Sequence, residues 1–282
     1  MCFSLQSTVR SAALVIAMLA VQAVSAWGAG PAADTAALYR AQVDLRLDVP
    51  PEEMSRYGKL AEAELSRAGI TLSQPQHIAV VDRHPHVQAL LLFWRSGSGE
   101  WIGVGASPVS TGMPGSYDHF ETPLGVFEHS TANPDFRAEG TFNENGIRGY
   151  GVKGMRIFDF GWQRVPKGWG DGKVIEMRLQ MHATDPDVLE RRLGSAQSKG
   201  CIRIPASLNR LLDLHGVLDA GYEQAVREGE KLWVLDANRQ PVGDAGRYLI
   251  VVESIRKDRP AWSPPPFLPR RKPATQPKRQ AG

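Results

Sequence analysis

The stretch Val174-Ile175-Glu176-Met177-Arg178-Leu179-Gln180-Met181-His182-Ala183 alternates apolar and polar side chains along its whole length. Ile175, Met177, Leu179, Met181 and Ala183 share one face, and Glu176, Arg178, Gln180 and His182 share the other. A period of two marks a strand with one face on a core. His182 therefore stands at a strand end, on its polar face. Asp185-Pro186 follows, a capping residue and a proline suited to the first helical position, which predicts a two-turn helix to Leu193 that stops at Gly194. The chain then reads Ser198-Lys199-Gly200-Cys201-Ile202-Arg203-Ile204. If this segment is extended, Cys201 and Arg203 share one face while Ile202 and Ile204 take the core face.

Outward from this stretch the texture is mostly β. Short apolar runs at His77–Val81, Val87–Trp94 and Trp101–Ala106 read as strands, with Ser96-Gly97-Ser98-Gly99 as the turn between the last two. Residues 107–172, rich in Gly and Pro, read as strands and long loops. Residues 34–75 read as helical. Met54, Tyr57, Ala61, Leu65 and Ala68 fall on one helix face, Pro51 and Glu52-Glu53 suit a first turn, and Gly69 suits a stop. After Pro205 a helix places Leu208, Leu211, Leu212 and His215 on one stripe, and the body closes with the apolar runs Leu232–Leu235 and Tyr248–Val252. The expected fold is mainly β with peripheral helices, preceded by a short helical segment.

The chain has 282 residues, 42% hydrophobic and 22% charged, which excludes a disulfide-stapled mini-protein and a mostly disordered polypeptide. Its two cysteines are Cys2 and Cys201. Residues 1–26 have the layout of a cleaved secretory signal peptide: Arg10, an apolar run from Ala12 to Val24, then the small-residue stop Val24-Ser25-Ala26. The run is shorter than the roughly 20 residues of a membrane span. The expectation is an exported, periplasmic protein in which Cys201 is the single cysteine. The net charge of +3 is unevenly spread. Residues 254–282 hold eight Lys/Arg against one acid, Asp258, and seven prolines, and they read as a basic, disordered tail on a mildly acidic body. Such a tail can touch an anionic membrane or wall polymer, but nothing in it has a nucleic-acid-binding pattern.

The chemistry centres on Cys201. Glycine before it permits a tight turn that presents the sulfur and leaves backbone N–H groups for an oxyanion. A free thiol ionises near pH 8.5, and pairing with an imidazolium lowers that value enough to make thiolate the main form. His182 is the candidate partner, and Arg203 is placed to meet a carboxylate bidentately. The competing reading is a buried, inert cysteine.

These residues resemble the motif of the L,D-transpeptidase (YkuD-like) catalytic family. That family has an upstream histidine, a spacer (here residues 183–197), then Ser/Thr-His-Gly-Cys, a hydrophobic residue and Asn or Arg. Ser110-Thr111-Gly112 and Thr122-Pro123-Leu124-Gly125-Val126-Phe127 also resemble the family's segment before the active site. Lys199 stands where the family usually has histidine. The resemblance implies a β-sandwich catalytic domain over residues 76–236, a closing strand in 237–253, and no metal or organic cofactor. It implies a role in cell-wall biogenesis and cell shape, with peptidoglycan stem peptides as substrate. Cys201 would attack the carbonyl of the third stem residue and the terminal D-Ala would leave, protonated by His182. N–H groups around Gly200 and Cys201 would hold the oxyanion, with Ser198, Lys199 and Arg203 in the binding set. The thioester would pass to an amine of another stem, a wall-anchored protein's lysine or a free D-amino acid, or to water in a carboxypeptidase or amidase. A wall-binding protein with a silent Cys201 is the alternative of another class.

Other residues have competing readings. His84 and His86 read as a surface turn, with no third metal ligand evident. His119 and His129 flank the Thr122–Gly125 segment and either line the cleft or serve structure. His215 reads as a satisfied histidine at the edge of the core. Trp162 and Trp169 either stack on sugar or peptide or anchor loops.

Overall fold

The computed structural model describes residues 30–267. The signal-peptide reading, Cys2 included, and the end of the basic tail lie outside them. Among the described residues no helix is long and apolar enough to cross a membrane.

The chain opens with α1 (Pro31–Gln42) and α2 (Pro51–Arg67). Strands β1 (Gln76–Asp82), β2 (Ala89–Arg95), β3 (Trp101–Pro108), β4 (Gly125–Glu128), β5 (Phe136–Arg137), β6 (Arg156–Pro166) and β7 (Val174–Ala183) follow. A 3-10 turn (Glu190–Arg192), β8 (Ile202–Ile204), α3 (Ala206–Leu214), α4 (Ala220–Arg227) and β9 (Tyr248–Val252) complete it. The strands form a five-stranded sheet in the order β3-β2-β1-β9-β4 and a four-stranded sheet in the order β5-β6-β7-β8. The β1–β9 and β7–β8 pairs are parallel and the rest antiparallel. The molecule is thus mainly β, with two sheets and a few helices.

The two sheets enclose one core. Val81, Leu90, Leu92 and Val104 meet Phe158, Leu179, Met181, Ile202 and Ile204, with Leu208, Leu211 and Leu212 of α3 sealing the side. The larger sheet is buried on both faces, because α2 covers the other one: Tyr57, Ala61 and Leu65 pack on Ile78, Val80, Leu91, Phe93 and Ile250. Double burial explains why β1 and β2 read as continuous apolar runs rather than as alternation. The Tyr57 hydroxyl donates to Asp82 Oδ2 at 2.6 Å and pins the helix to the sheet.

Four sequence expectations are corrected. The helical segment 34–75 is two helices with an irregular link, and Ala68 is exposed at the end of α2 rather than on its buried face. The helix expected from Asp185 to Leu193 is an irregular turn with only Glu190–Arg192 helical. The Asp185 carboxylate accepts from the Arg148 backbone and guanidinium as well as from Asp187 N–H, while Leu189 and Glu190 N–H both converge on its carbonyl. Both bonds spend the one Asp185 carbonyl, the second at the wider i+5 spacing, so the α-helical ladder is not continued beyond that turn. The closing strand is confined to Tyr248–Val252, and Leu232–Leu235 forms a turn with Trp233 exposed.

The basic tail is the fourth correction. Residues 254–267 form an ordered strap over the body. Arg256 pairs with Glu53, Trp262 stands edge-on to Tyr57 at 6.0 Å, and Ser263 Oγ donates to His86 O at 2.7 Å. Phe267 N–H donates to Ser195 Oγ at 2.7 Å. Among the described basic residues of the tail, Arg256 and Arg259 are held by partners, Arg259 donating to Pro85 O at 2.6 Å, while Lys257 is exposed.

Candidate active site

Strand pairing brings the two halves of the motif together. His182 lies opposite Arg203 and Met181 opposite Ile202, which aligns Cys201 with Gln180. Ile202 and Ile204 enter the core, so Cys201 and Arg203 emerge on the face that carries His182. Cys201 and His182 are diagonal neighbours across this parallel pair, and no hydrogen bond joins them. Cys201 Sγ lies 3.8 Å from Arg178 O.

The turn that presents the thiol is heavily tied. Ser198 Oγ accepts from Gly200 N–H at 3.0 Å and donates to Cys201 O at 2.5 Å. Ser198 is therefore a staple of the turn rather than a free substrate contact. The Gly200 N–H expected to hold an oxyanion is occupied by that staple, whereas Cys201 N–H makes no hydrogen bond among the described residues. Gly200 itself sits at φ +133, and a Cβ there would lie 2.9 Å from Met177 Cε, so both backbone and space require glycine.

The Ser110–Gly112 and Thr122 segments cradle the same turn. Ser110 and Arg203 exchange backbone hydrogen bonds at 2.9 Å, and Ser198 N–H donates to Thr111 O at 3.0 Å. Thr122 Oγ1 donates to Gly200 O at 2.7 Å and accepts from Gly112 N–H at 2.9 Å, fully buried. Thr122→Val keeps the shape and orphans both groups. The expected cost is about 1–3 kcal/mol for each buried unpaired group, read by urea denaturation, with a fall in thiol reactivity as the turn loosens.

Burial dominates the electrostatics. It pushes His182 down from its ordinary value to about 4, with the Ala183 carbonyl opposing and the Arg203 charge assisting. The imidazole is therefore neutral near pH 7. Its Nδ1–H donates to Ala183 O at 2.7 Å, which leaves Nε2 as the lone-pair nitrogen. Burial also raises the Cys201 thiol, opposed by the Gln180 backbone N–H and Arg203 and reinforced by Asp159. Both shifts disfavour the charged forms, so burial works against a thiolate–imidazolium pair at rest. Alkylation of Cys201 by iodoacetamide should accordingly be slow at pH 7 and accelerate only above the ordinary thiol range. A fast plateau from pH 5 to 8 would show an ion pair instead.

The remaining expected residues divide. Arg203 is half-buried, with Nη1 3.4 Å from Gln197 O, no partner for Nε, and burial lowering its proton affinity. A guanidinium held this way, without a carboxylate partner among the described residues, suits an incoming one. Lys199 is drawn away to the exposed Asp118 at 2.8 Å and does not face the thiol. Two neighbours escaped the sequence reading. The Tyr150 ring lies 4.5 Å from the His182 ring, and burial raises its hydroxyl with the Cys201 charge second among the causes. Asp159, fully buried, takes Gln180 Nε2 at 2.9 Å and lies 2.7 Å from Arg178 Nε. The alternation of β6 could have flagged Asp159, but Tyr150 sits in a Gly-rich loop that carries no periodicity.

The other histidines stand apart. His84 and His86 contact each other at 5.2 Å, and among the described residues no group of three His, Cys, Asp or Glu is arranged for a metal ion. His119 bonds Met113 O at 3.1 Å. His215 is satisfied by Gln42 and Gln240 O at the edge of the core. His129 is fully buried in an ionic cluster with Asp135, Arg156 and Asp219, and so serves structure.

No family model and no curated protein matches the chain. Four solved chains match. One is the helical cell shape determining protein Pgp2 from Campylobacter jejuni, 16% identical with a TM-score of 0.34, covering 70% of this chain and 56% of that one. A point mutant of Pgp2 gives 16% identity and a TM-score of 0.32, covering 74% and 58%. The chain therefore spans little more than half the length of Pgp2, and the overlap is loose.

Proposed function

We propose that the protein is an L,D-transpeptidase of the YkuD-like family that acts on peptidoglycan stem peptides in the periplasm. The observation that carries this reading is the placement of Cys201 and His182 on one face of the β7–β8 pair, with Nδ1–H committed to Ala183 O and Nε2 free. The sulfur attacks the carbonyl carbon of the third stem residue as its proton passes to His182 Nε2. The imidazole is a weak base at rest, so transfer is coupled to S–C bond formation, and the growing oxyanion stabilises the imidazolium. Cys201 N–H donates to that oxyanion. The C–N bond to the terminal D-Ala then breaks, its nitrogen takes the proton from His182, and a thioester remains. An acceptor amine gives a proton to His182 and attacks the thioester. The sulfur leaves and is reprotonated. Arg203 orients a substrate carboxylate.

Product identity tests the reading. Incubation with tetrapeptide muropeptides should yield a dimer cross-linked between third residues, or an acylated amine when a protein lysine or D-amino acid is supplied. A trimmed tripeptide alone would assign the same site to water, as in a carboxypeptidase. Unchanged muropeptides would leave the chain a wall-binding protein without this chemistry.

A further inference from the structure

Trp162 belongs to none of the apolar core clusters. It is 62% exposed on β6, whereas Trp169, in the loop after β6, is wedged against Phe120 at 4.9 Å. Its position comes from one inserted residue. Along β6–β7 the register runs Ile157 to His182 and Asp159 to Gln180, then slips so that Trp162 meets Arg178. Without the slip Trp162 would stand opposite Met177 and face the core. The bulge at Gly161, with φ +78, turns the indole onto the face that carries Gln180, His182 and Cys201. The Arg178 guanidinium lies 6.0 Å from the indole centroid. Arg178 Nε is 2.7 Å from Asp159 Oδ2, its side chain is 39% exposed, and its two Nη groups make no hydrogen bond among the described residues. The Arg178 carbonyl is the atom against which Cys201 Sγ rests, at 3.8 Å. Trp162 and Arg178 face each other, and Cys201 stands one strand further on and two residues along, beside Gln180, so indole and thiol lie roughly 12 Å apart at ordinary strand spacing and rise. On this face Arg164, Arg178 and Arg203 outnumber Asp159 and Glu176, so it carries a net positive charge.

We infer that Trp162 and Arg178 form a binding subsite for the acyl-donor peptide, with a peptide carboxylate on the Nη edge of Arg178 and an apolar face of the peptide on the indole. The assignment rests on the proposed reaction at Cys201 and extends it to an acidic peptide as the ligand class. Planar guanidinium donors match a carboxylate edge, and an exposed indole beside them supplies apolar area at small entropic cost. The subsite lies beyond the reacting atoms and binds without taking part in bond making.

The test is equilibrium binding of a disaccharide-tetrapeptide muropeptide to full-length protein carrying Cys201→Ala, with and without Trp162→Ala. Trp162→Ala should raise Kd roughly tenfold at an unchanged melting temperature. Arg178→Lys, which keeps the charge beside Asp159 but loses the fork, should also weaken binding. A Kd within about twofold of the parent in Trp162→Ala, or no binding by the parent, overturns the subsite. Turnover of the protein with Cys201 intact separates the two claims. Turnover with a Trp162-independent Kd removes the subsite and leaves the reaction, while Trp162-dependent binding without turnover does the reverse.

Discussion

His182→Ala is expected to lower turnover of a tetrapeptide muropeptide by about 10²–10⁴-fold, the usual contribution of a positioned acid-base group. One imidazole takes the thiol proton, protonates the leaving amine and deprotonates the acceptor, so every bond-making step loses its proton carrier. The loss should fall on kcat, because His182 is buried and its Nε2 meets the substrate only through the reacting groups. The same substitution should remove an acid lability. The folded value near 4 lies below the unfolded value of about 6.5, so the folded state binds fewer protons in that window. The stability linked to His182 is fully present above pH 6.5 and is lost as pH falls through 4. Melting temperatures of the parent against His182→Ala between pH 7 and 4 should therefore converge. Unchanged turnover would mean that another group is the base.

Arg156→Met should destabilise the fold by about 3–5 kcal/mol, the cost of leaving buried charge uncompensated. Arg156 is fully buried, with Nε 2.7 Å from Asp135 and Nη1 2.7 Å from Asp219. His129 completes the cluster. Its Nδ1 is 2.8 Å from Leu218 O and its Nε2 is 2.9 Å from Asp135 Oδ2, and both neighbours are acceptors. Both ring nitrogens must therefore donate, which makes the group an imidazolium and brings two carboxylates into balance with two cations. Burial pulls the imidazolium down and Asp135 more than restores it, so the folded value lies above the ordinary one. Its contribution is present below the unfolded value and is lost as pH rises through the folded one, opposite in sign to His182. Urea denaturation of Arg156→Met, and of the parent across alkaline pH, measures both effects. A loss below 1 kcal/mol would mean that water reaches the cluster.

How far the sequence carries can be followed residue by residue. The alternation of 174–183 placed His182 on the correct face because a half-buried strand enforces a period of two. The spacing of Cys201, Ile202 and Arg203 followed by the same rule. Failures arose where one contact outweighs local preference. Asp185 looks like a helix cap, yet Arg148, far away in sequence, claims its carboxylate. The strap at 254–267 looks solvated because prolines and arginines suggest it, and only the folded positions of Glu53, His86 and Ser195 reveal their partners. The bulge that turns Trp162 outward is one residue in a strand, and nothing but Gly161 signals it. Burial disfavours the charged forms of the thiol and imidazole, and spacing does not report burial.

Intact-mass analysis after treatment with a carbapenem reads out whether Cys201 is an acyl-accepting nucleophile. Attack on the β-lactam carbonyl opens the ring, the ring nitrogen takes the proton, and the whole mass of the drug stays on sulfur as a thioester. The expected result is one adduct on the parent protein and none on Cys201→Ala. No adduct on the parent, or an adduct that survives Cys201→Ala, would contradict it.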